Sequence, residues 1–439
     1  MRRILLLVWL SMATFMGAQA QEIVASGSGE NTSWELNDNG ILTINGSGEM
    51  DEGQAYEWGE YRDYVKKVII NEGITTICYK AFEDMTNLSS VSLPLSLKVG
   101  EEDAFSGCTS LPIIDNARYA DTYLVEVIDK SATSFRFKEG TKYIGAYSFL
   151  GCASLTEISI PESVETICEG AFAGCTSLSS VSLRKNIKHI EEVAFNRASK
   201  YTGIIGPTNY VDYETPRLKT VISYAEYAPT MYECDWGIDD EEIFHPYTYV
   251  HAPLYVPEGA YWNYAYCRGW GEFCHIKEMA MDESTLQSRQ AYMIADARGC
   301  NYTVYDADKD KLVNVEYTHS LDEESEGSCW TVLKEGGKSY LYNIGAKKFA
   351  SMDKDGKLAL SDSPVNMEIT ATENGLSING NACMFVLNKN IEIDATGIED
   401  IIGNTDSAKK SEVYAIDGRR MDKTVRGINI VNGNKVLVK

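Results

Sequence analysis

Histidine is scarce in this chain of 439 residues, which has five in all. The sequence also lacks a glycine-rich phosphate loop, a Cys-x-x-Cys pair and a Gly-x-Ser-x-Gly elbow. These motifs mark many nucleotide-binding, zinc-binding and hydrolytic sites, because each supplies the donors, ligands or nucleophile that the chemistry needs. We therefore expect no catalytic residues, no bound metal and no cofactor, and we predict that the protein is not an enzyme.

The few histidines do not form a recognisable catalytic arrangement. A nucleophilic pair of cysteine and histidine must meet in space, and only Cys274 and His275 adjoin in the sequence. Adjacent residues on a strand point to opposite faces, which is poor geometry for a general base. We interpret all five as structural or surface residues, namely His189, His245, His251, His275 and His319.

Positive charge is also in short supply. The chain has 40 lysines and arginines against 64 aspartates and glutamates, which gives a formal net charge of -24. An acidic surface of that size repels phosphate backbones and anionic lipid headgroups, so we expect no nucleic-acid partner.

One cluster of acidic residues, Asp306 to Asp310, has the spacing at which a calcium loop begins. The sixth position of such a loop is Lys311 where glycine is needed, and the twelfth is Tyr317 where glutamate is needed. The sequence therefore favours a solvated turn over a metal site.

Long hydrophobic runs occur only at the N-terminus. Two arginines precede an apolar run from Ile4 to Gly17, and small residues follow up to Ala20, so residues 1–20 are predicted to be a signal peptide. No later run reaches the roughly 18 apolar residues of a membrane helix. We expect an exported mature chain without a transmembrane segment, and Gln21 after the cut, rather than cysteine, disfavours a lipid anchor.

A repeat with a period of 23 residues organises the first part of the chain. The pair Ala-Phe begins at positions 81, 104, 171 and 194, and Ser148-Phe149 takes the same role. Three of the four steps between these pairs are 23 residues, and the remaining step, from 104 to 148, is 44. We expect a degenerate repeat between Leu111 and Phe137.

Each repeat carries a short alternation of apolar and small polar residues, as in Leu155 to Ile160. Such alternation is typical of a half-buried strand, and one repeat cannot bury its apolar face alone. Stacked repeats join these faces into a solenoid whose outward strand positions line a shared concave sheet. The candidate binding residues on that sheet are Ser90, Ser92, Arg136, Glu157, Ser159, Ser180 and Ser182.

The cysteines of the repeats follow the same period. Cys108, Cys152 and Cys175 share one position, and Cys78 and Cys168 share another. Stacked strands lie roughly 5 Å apart, which suits buried thiols as well as disulfides, and we favour packing. Cys267 and Cys274 lie outside that period and are better disulfide candidates.

The motifs Gly107-Cys108-Thr109-Ser110-Leu111 and Gly174-Cys175-Thr176-Ser177-Leu178 resemble BspA-like (treponemal-type) leucine-rich repeats. The β-rich stretch from Ser33 to Gly73 resembles the opening cap of that family, and Leu254 to Glu278 resembles its closing segment. This resemblance implies an exported or cell-surface protein that adheres to extracellular proteins.

Two further segments follow the repeats. Short β-like runs fill residues 286–394, and Tyr340 to Phe349 weakly resembles ricin-type β-trefoils. The end of the chain resembles the C-terminal sorting domain of the type IX (Por) secretion pathway, which implies contact with the export and outer-membrane secretion machinery of a Gram-negative bacterium. The sorting signal is assigned to Gly418, Arg419, Gly427, Gly433, Lys435 and Lys439.

The predicted fold is therefore mainly β, with a leucine-rich-repeat solenoid between β-rich caps, a small β domain and a short β sorting-like segment. A chain of this length suggests about three domains. The predicted boundaries are a signal peptide at 1–20, an N-terminal β cap at 21–66, the solenoid with its closing cap at 67–279, the small β domain at 286–394 and the sorting-like segment at 396–439.

Two functional hypotheses follow from this organisation. In the first, the repeats and a tyrosine-rich insertion engage an extracellular or host protein, since aromatic residues supply binding area at low entropic cost. In the second, residues 286–394 bind a carbohydrate and the repeats form a stalk. The aromatic candidates, which would alternatively cap the open core of the last repeat, are Tyr224, Tyr227, Tyr232, Trp236, Tyr247 and Tyr249.

Overall fold

The computed structural model describes residues 22–196, 198–201, 210–213, 216–231, 243–284, 286, 290–317, 325–372, 375–389, 391, 413–415, 420–421, 427–431 and 434–438. The predicted signal peptide lies outside these residues. The chain divides into an N-terminal unit that ends at Ile276 and a C-terminal unit from Lys277 to Lys439. The mainly β fold with a solenoid of about nine turns confirms the predicted fold class.

The N-terminal unit contains most of the strands and all of the α-helices of the described residues. Its elements are β1 (Ile23–Ser28), β2 (Thr32–Asn37), β3 (Ile41–Gly46), β4 (Gly48–Glu49), α1 (Glu52–Gly59), β5 (Lys67–Ile70), β6 (Ile74–Ile77), β7 (Ser90–Ser92), β8 (Val99–Gly100), β9 (Ile113–Ile114), β10 (Ala117–Ala120), β11 (Tyr123–Val127), β12 (Tyr143–Ile144), β13 (Glu157–Ser159), β14 (Thr166–Ile167), β15 (Ser180–Leu183), β16 (His189–Ile190), β17 (Ala198–Tyr201), β18 (Tyr210–Tyr213), β19 (Thr220–Ser223), β20 (Thr230–Met231), α2 (Pro246–His251), β21 (Pro253–Pro257), α3 (Tyr261–Ala265) and β22 (His275–Met279), which contains the boundary.

The cap at the start of the solenoid is an antiparallel meander that turns into the parallel repeats. Strands β1, β2 and β3 pair antiparallel, and β3 then pairs parallel with β5. The carboxylate of Asp51 accepts the N–H of Gly53 and so caps α1, which places Trp58 over the first repeat. The Trp58 indole donates to the carbonyl of Ala81 at 2.6 Å. The cap thereby closes the core at its first open end.

Each regular repeat contributes two strands, one to each of two parallel sheets. The first strand of a repeat is the one that the alternating pattern predicts, such as β13 or β15. The second is a two- to four-residue strand, such as β6 or β14, which the sequence did not reveal as a strand. A strand of two residues, such as Thr166-Ile167 in β14, is too short for a period-2 signal.

The Ala-Phe segments form the outer turns of the repeats and send the phenylalanine ring inward. The rings of Phe149, Phe172 and Phe195 stack with centroids 4.8 and 4.6 Å apart, and all three are fully buried. The predicted packing of these segments against a common interior is thus confirmed. The backbone of these turns adopts the left-handed conformation, with positive φ, at their ends. The residues with positive φ in these turns are Lys80, Asp84, Asp103, Gly107, Tyr147, Gly151, Gly170, Gly174 and Val193.

The degenerate repeat is an antiparallel hairpin, β10–β11, to which β9 adds a short third strand. Strand β11 pairs parallel with β12 and so joins the second sheet of the following repeats, which is separate from the preceding sheet of β4, β6 and β8. The Arg118 side chain fixes the hairpin to the preceding repeat, since it donates to the carbonyls of Thr109 and Leu111 at 2.5 and 3.0 Å and to Glu126 at 2.8 Å. The sheet of outward strands is interrupted at this point.

The C-terminal unit is built mainly from antiparallel hairpins. Its elements are η1, a 3₁₀ turn (Glu326–Ser328), with β23 (Tyr292–Asp296), β24 (Asn301–Asp306), β25 (Lys311–Glu316), β26 (Trp330–Glu335), β27 (Lys338–Asn343), β28 (Lys348–Met352), β29 (Leu358–Ser361), β30 (Ile369–Thr372), β31 (Gly375–Ile378), β32 (Asn381–Leu387), β33 (Val413–Ala415), β34 (Arg420–Met421), β35 (Gly427–Val431) and β36 (Asn434–Val438).

Two sheets of this unit correspond to the two predicted C-terminal segments. Strand β32 pairs with β23, and the hairpins β26–β27 and β28–β29 extend the sheet around a core that includes Tyr292, Trp330 and Phe385. Strands β33 to β36 form a separate four-stranded antiparallel sheet. Both segments are therefore β structures, as the sequence predicts, while the exact domain boundaries stay predictions.

Candidate interaction surface

The outward positions of the first strands form ladders across neighbouring repeats. Glu157 pairs with Ser180, and Ser159 pairs with Ser182, in parallel register between β13 and β15. Ser90 and Ser92 lie on β7, at the edge of the separate sheet that begins at the cap. The structure therefore divides the predicted binding residues into two groups, with the hairpin repeat between them.

Not all predicted positions on this sheet are accessible. Ser90, Ser92, Glu157 and Ser159 are exposed, and Ser182 is half-buried. Ser180 is buried, which corrects its assignment as a contact residue.

Arg136 is exposed but lies outside any strand, so it is not part of the ladder as the repeat pattern predicted. Its neighbours Phe135 and Phe137 pack instead against Phe149, the first ring of the stack formed by Phe149, Phe172 and Phe195.

Arg184 is a buried residue that contacts this sheet. It directly follows strand β15, and its guanidinium donates to the Ser159 hydroxyl at 3.3 Å and lies 5.0 Å from the centre of the Tyr224 ring. Tyr224 itself is buried, and burial raises the pKa of its phenol. Tyr224 therefore supports Arg184 from below and offers little surface of its own, which corrects its assignment as a direct contact.

Tyr249 belongs to the core of the closing cap. Its ring contacts Phe244 and Phe273 edge-on at 5.8 and 5.0 Å, and it is almost fully buried. The prediction that it binds a partner is corrected, and the alternative role, closing the core of the last repeat, describes its position. Tyr232 and Trp236 lie outside the described residues.

Tyr247 and Tyr227 reach the surface. The Tyr247 ring stacks on His251 at 4.0 Å and lies 5.6 Å from the Arg217 guanidinium, so its free face is limited. Tyr227 is 68% exposed in the loop after β19. Of the four aromatic candidates that the structure describes, Tyr227 is the most exposed.

Helix α3 and the residue directly after it, Tyr266, add two exposed aromatic residues that the sequence analysis did not single out. Trp262 and Tyr266 are 62% and 81% exposed, and their rings stack at 5.3 Å with an interplanar angle of 15°. They lie four positions apart, so they share a helix face, and Tyr264 between them points to the opposite face. The Tyr264 hydroxyl is buried against Ser223 and the carbonyl of Ala225. The i, i+4 spacing was a signal in the sequence, but a five-residue helix is too short to be recognised by periodicity.

These rings form one surface with the loop that carries Tyr227. The side-chain amide of Asn263 in α3 donates to the carbonyl of Glu226 at 2.9 Å, which fixes the loop beside the helix. We call Tyr227, Trp262 and Tyr266 the cap aromatic patch. Tryptophan is rarely this exposed, and an exposed apolar patch typically marks an interaction site.

The cysteines of the repeats are packed as the period predicts. Cys78, Cys108, Cys152, Cys168 and Cys175 are all free and buried. The thiols of Cys108 and Cys175 donate to carbonyls of the preceding stacked repeat at 3.1 and 3.3 Å, and burial raises the pKa of Cys78 and Cys108 to about 12. Such thiols are unreactive.

Cys267 and Cys274 do not form the disulfide that their position suggested. Both are free and exposed, and the Cys267 thiol donates to the carbonyl of Asn263.

The described histidines have structural partners. His189 shares a hydrogen bond with Thr230, and His245 accepts the N–H of Tyr247 at the start of α2. Burial lowers the pKa of both imidazoles, which favours the neutral form. Asp306 accepts the backbone and side-chain N–H groups of Lys309 in the β24–β25 turn. Among the described residues, no three His, Cys, Asp or Glu side chains are arranged to hold a metal.

The residues assigned to the sorting signal fall at the end of the C-terminal unit. Gly427 begins β35, and Lys435 lies in β36 opposite Ile430. Gly418, Arg419, Gly433 and Lys439 lie outside the described residues. In the part of the chain that is described, no helix is both long and apolar enough to cross a membrane.

Comparison with known families identifies the repeats. A family described as "BspA type Leucine rich repeat region" matches residues 60–122 and 128–215 in six copies. The repeats within these two ranges are similar to BspA-type leucine-rich repeats. The short gap between the two matched ranges falls at the end of the hairpin repeat, where the pattern is interrupted.

Solved structures with low sequence identity resemble parts of the chain. A leucine-rich repeat protein from Eubacterium ventriosum is 16% identical over 54% of this chain and 80% of its own, with a TM-score of 0.18. The pneumococcal vaccine antigen PcpA is 13% identical over 54% of this chain and 95% of its own, with a TM-score of 0.23. A ricin B-like lectin from Macrolepiota procera, in complex with lactose, is 16% identical over 23% and 88%, with a TM-score of 0.19. No curated protein sequence matches the chain significantly.

BspA-type repeats are typical of surface-exposed bacterial proteins and form scaffolds that bind other proteins. The repeat region therefore supports a protein-binding role in general.

Proposed function

We propose that this protein is exported to the cell surface or secreted, where its leucine-rich-repeat scaffold binds an extracellular protein. The observation that carries the proposal is the cap aromatic patch. Tryptophan and tyrosine dominate the energetic centres of protein interfaces, and a rigid stacked pair loses little side-chain entropy on binding. The Ser223 and Ala225 contacts of Tyr264 anchor α3 and so present the pair in a fixed orientation.

The concave sheet supplies a polar margin to the binding surface. Glu157 and Ser159 are exposed on β13, and the buried Arg184 donates to the Ser159 hydroxyl and so holds it in place. Interfaces commonly combine an aromatic centre with a polar rim that fixes orientation. The net charge of -24 favours a partner whose contact surface is basic.

Export is supported by sequence features alone. Residues 1–20 have the three parts of a signal peptide, and residues 396–439 resemble a type IX sorting segment. The proposed partners therefore include the export and outer-membrane secretion machinery. We propose no enzymatic role, since the sequence contains none of the nucleotide-binding, zinc-binding or hydrolase motifs considered above.

The alternative function, carbohydrate binding through residues 286–394 with the repeats as a stalk, has less support. Sugar sites commonly use an exposed aromatic ring as a stacking surface. Within the described residues of that segment, Val365 is the one large hydrophobic side chain that is exposed, and it is not aromatic. A glycan array with the full mature chain would favour this alternative if it gave strong binding that survives loss of Trp262.

The proposal is tested by removing the stacked pair. We expect the double variant Trp262→Ala, Tyr266→Ala to bind host extracellular proteins, captured on the purified mature chain, at least about 30-fold more weakly, because central aromatic residues contribute about 2 kcal/mol or more. Surface plasmon resonance against the captured protein measures the change.

A matched control is Tyr56→Ala, which removes a tyrosine that is 73% exposed on α1, at the other end of the solenoid. This variant is expected to bind like the unaltered chain. Equal binding by the double variant and the control would refute the assignment of the patch.

A further inference from the structure

In the regular repeats, the backbone of each Ala-Phe segment donates hydrogen bonds to the repeat that follows. In each case the phenylalanine N–H donates the hydrogen bond. The acceptor is the carbonyl of the residue that directly precedes the phenylalanine of the next repeat. These bonds run from Phe82 to Ala104 (2.9 Å), from Phe149 to Ala171 (2.9 Å), from Phe172 to Ala194 (3.0 Å) and from Phe195 to Ile243 (2.8 Å).

The Phe105 segment is the exception. The Phe105 ring is buried and stacks on Phe82 at 5.2 Å like the others, but its N–H has no acceptor among the described residues, which include all of 22–196. Within the same range the N–H of Gly107 lacks an acceptor too. The equivalent Gly151 donates to Ala173 at 2.9 Å, and the equivalent Gly174 has no acceptor among the described residues. We call this series of backbone hydrogen bonds between successive repeats the ladder. At Phe105 and Gly107 the N–H donor of the ladder has no carbonyl acceptor.

The hairpin repeat explains why these donors are unused. Val127 occupies the position of the next phenylalanine, because its N–H donates to the carbonyl of Ser148 at 2.8 Å as Phe149 donates to Ala171. Residues before Val127 belong to strand β11, which pairs with β10, instead of forming an outer turn. No carbonyl of a turn is thus presented to the Phe105 segment.

A cleft of about 230 Å³ occupies the place of the missing turn. The cleft is lined by Phe105 and Gly107, by Tyr123 and Glu126 of β11, and by Leu150 of the following repeat. Backbone N–H groups without a protein acceptor tend to be satisfied by water or by a ligand. Phe105 is buried and Gly107 is exposed at the mouth of the cleft. The N–H groups of Phe82, Phe149, Phe172 and Phe195 all meet a peptide carbonyl, so the unpaired donor of Phe105 is particular to this repeat.

We propose that this cleft is a binding site for a short extended segment of peptide. A carbonyl oxygen of the bound peptide accepts the N–H of Phe105, and a second accepts that of Gly107, so the guest backbone completes the ladder that the hairpin interrupts. This is peptide recognition by backbone addition, which gives affinity through main-chain hydrogen bonds. The site goes beyond the proposed function above, because neither its location nor its chemistry depends on the cap aromatic patch.

The charges around the cleft favour a basic side chain on the guest. Asp103 and Glu126 line it together with one cation, Lys130, and the Glu126 carboxylate keeps one oxygen for a ligand while the other accepts from Arg118. The chain as a whole is strongly acidic. A lysine in the guest peptide is therefore preferred over a glutamate.

The test uses two blocked pentapeptides, acetyl-Ala-Ala-Lys-Ala-Ala-amide and its glutamate counterpart, with the full mature chain. Amide hydrogen exchange followed by mass spectrometry is expected to show that the lysine peptide slows exchange in residues 103–108. The segments 80–85 and 147–152, whose donors are already bonded, change little. We expect a dissociation constant on the order of 1 mM and a roughly threefold preference for the lysine peptide.

Two variants sharpen the result. Ser106→Phe fills the cleft and is expected to weaken binding at least about tenfold, whereas Glu83→Phe, at the equivalent position of the preceding repeat, leaves binding unchanged. Glu126→Gln is expected to abolish the preference for lysine while the peptide still slows exchange. The proposal is overturned if residues 103–108 are already protected without peptide, if neither peptide protects them at about 10 mM, or if Ser106→Phe binds as well as Glu83→Phe.

Discussion

The regular repeats and the hairpin repeat solve the same packing problem with different backbones. A regular repeat closes its layer with an outer turn that buries a phenylalanine and donates to the next repeat. The hairpin repeat closes its layer with strands β10 and β11, and buries Val127 and Tyr123 in its place. The hairpin extends the first row of aromatic rings, since Tyr123 lies between Phe105 and Tyr143 at 5.5 and 6.1 Å, and a second row begins at Phe149. The hairpin does not keep the backbone ladder continuous.

This difference teaches that core and ladder are separable in a solenoid. The ring stack tolerates a change of backbone because it needs only an aromatic side chain at the right depth. The ladder needs a carbonyl at a fixed position on each neighbour, and one altered repeat interrupts it. An interruption of this kind leaves polar backbone groups facing a cleft, which is where a solenoid acquires a site that its regular repeats lack.

The largest expected effect distinguishes the two ways of filling the core. Phe172→Ala removes a fully buried ring between Phe149 and Phe195 and is expected to lower the free energy of unfolding by about 3–5 kcal/mol. Val127→Ala removes less buried area from the hairpin repeat and is expected to cost about 1–2 kcal/mol. Urea unfolding of the full mature chain measures both.

The exposed Leu95 offers a control, since Leu95→Ala is expected to change stability by less than about 0.5 kcal/mol. Equal losses at Phe172 and Val127 would show that the hairpin core is as demanding as the regular one.

The next effect concerns two carboxyl groups, Glu101 before the hairpin and Glu191 after it, each of which accepts a backbone N–H. Glu191 accepts the N–H of Glu169, and Glu101 accepts the N–H of Tyr79, both at 2.8 Å. Burial raises the pKa of Glu191 to about 8, and it also raises the pKa of the less buried Glu101. Both carboxyl groups thus hold a proton more tightly in the folded state than in the unfolded state.

A raised folded-state pKa stabilises the protein below the unfolded-state value, near 4.5, and this contribution is lost as the pH rises through the folded-state value. Stability is therefore expected to fall between about pH 5 and pH 8, by up to about 1.4 kcal/mol per pH unit for Glu191. Glu191→Gln should flatten this dependence, and Glu101→Gln should do so less. Urea midpoints at pH 5, 6.5 and 8 check this, and an unchanged slope in Glu191→Gln would contradict it.

The sequence predicted those parts of the fold in which each repeat has the same surroundings. The 23-residue period located the Ala-Phe turns, the outward strands and the cysteine positions, because identical neighbours demand identical side chains at each step. The hairpin escaped prediction because its Val127 replaces the phenylalanine that marks the other repeats. Only the spacing of 44 residues showed that something different lay there.

The candidate surface was less predictable than the fold. Tyr249 and Trp262 are both aromatic residues near the end of the repeats, yet one is buried and the other is exposed. That difference depends on which face of a short helix meets Phe244 or Ser223, which is a tertiary contact. Burial of Tyr224 and Tyr249 follows from where the last repeat ends, and a single sequence does not reveal that point.

The smallest expected effect compares two glycines that end equivalent turns before and after the hairpin. Gly107 and Gly151 have nearly the same φ, +73° and +74°, a conformation that costs any other residue about 1 kcal/mol. A Cβ on Gly151 meets no atom within 4 Å, whereas one on Gly107 meets Asp84 at 2.1 Å from a carboxylate oxygen and 3.1 Å from Cα. Gly151→Ala is therefore expected to cost about 1 kcal/mol and Gly107→Ala about 2 kcal/mol, measured by urea unfolding. If the two losses of unfolding free energy are equal, the turn at Gly107 packs less tightly against Asp84 than the distances indicate. The altered backbone of the hairpin repeat would then extend one repeat further toward the N-terminus.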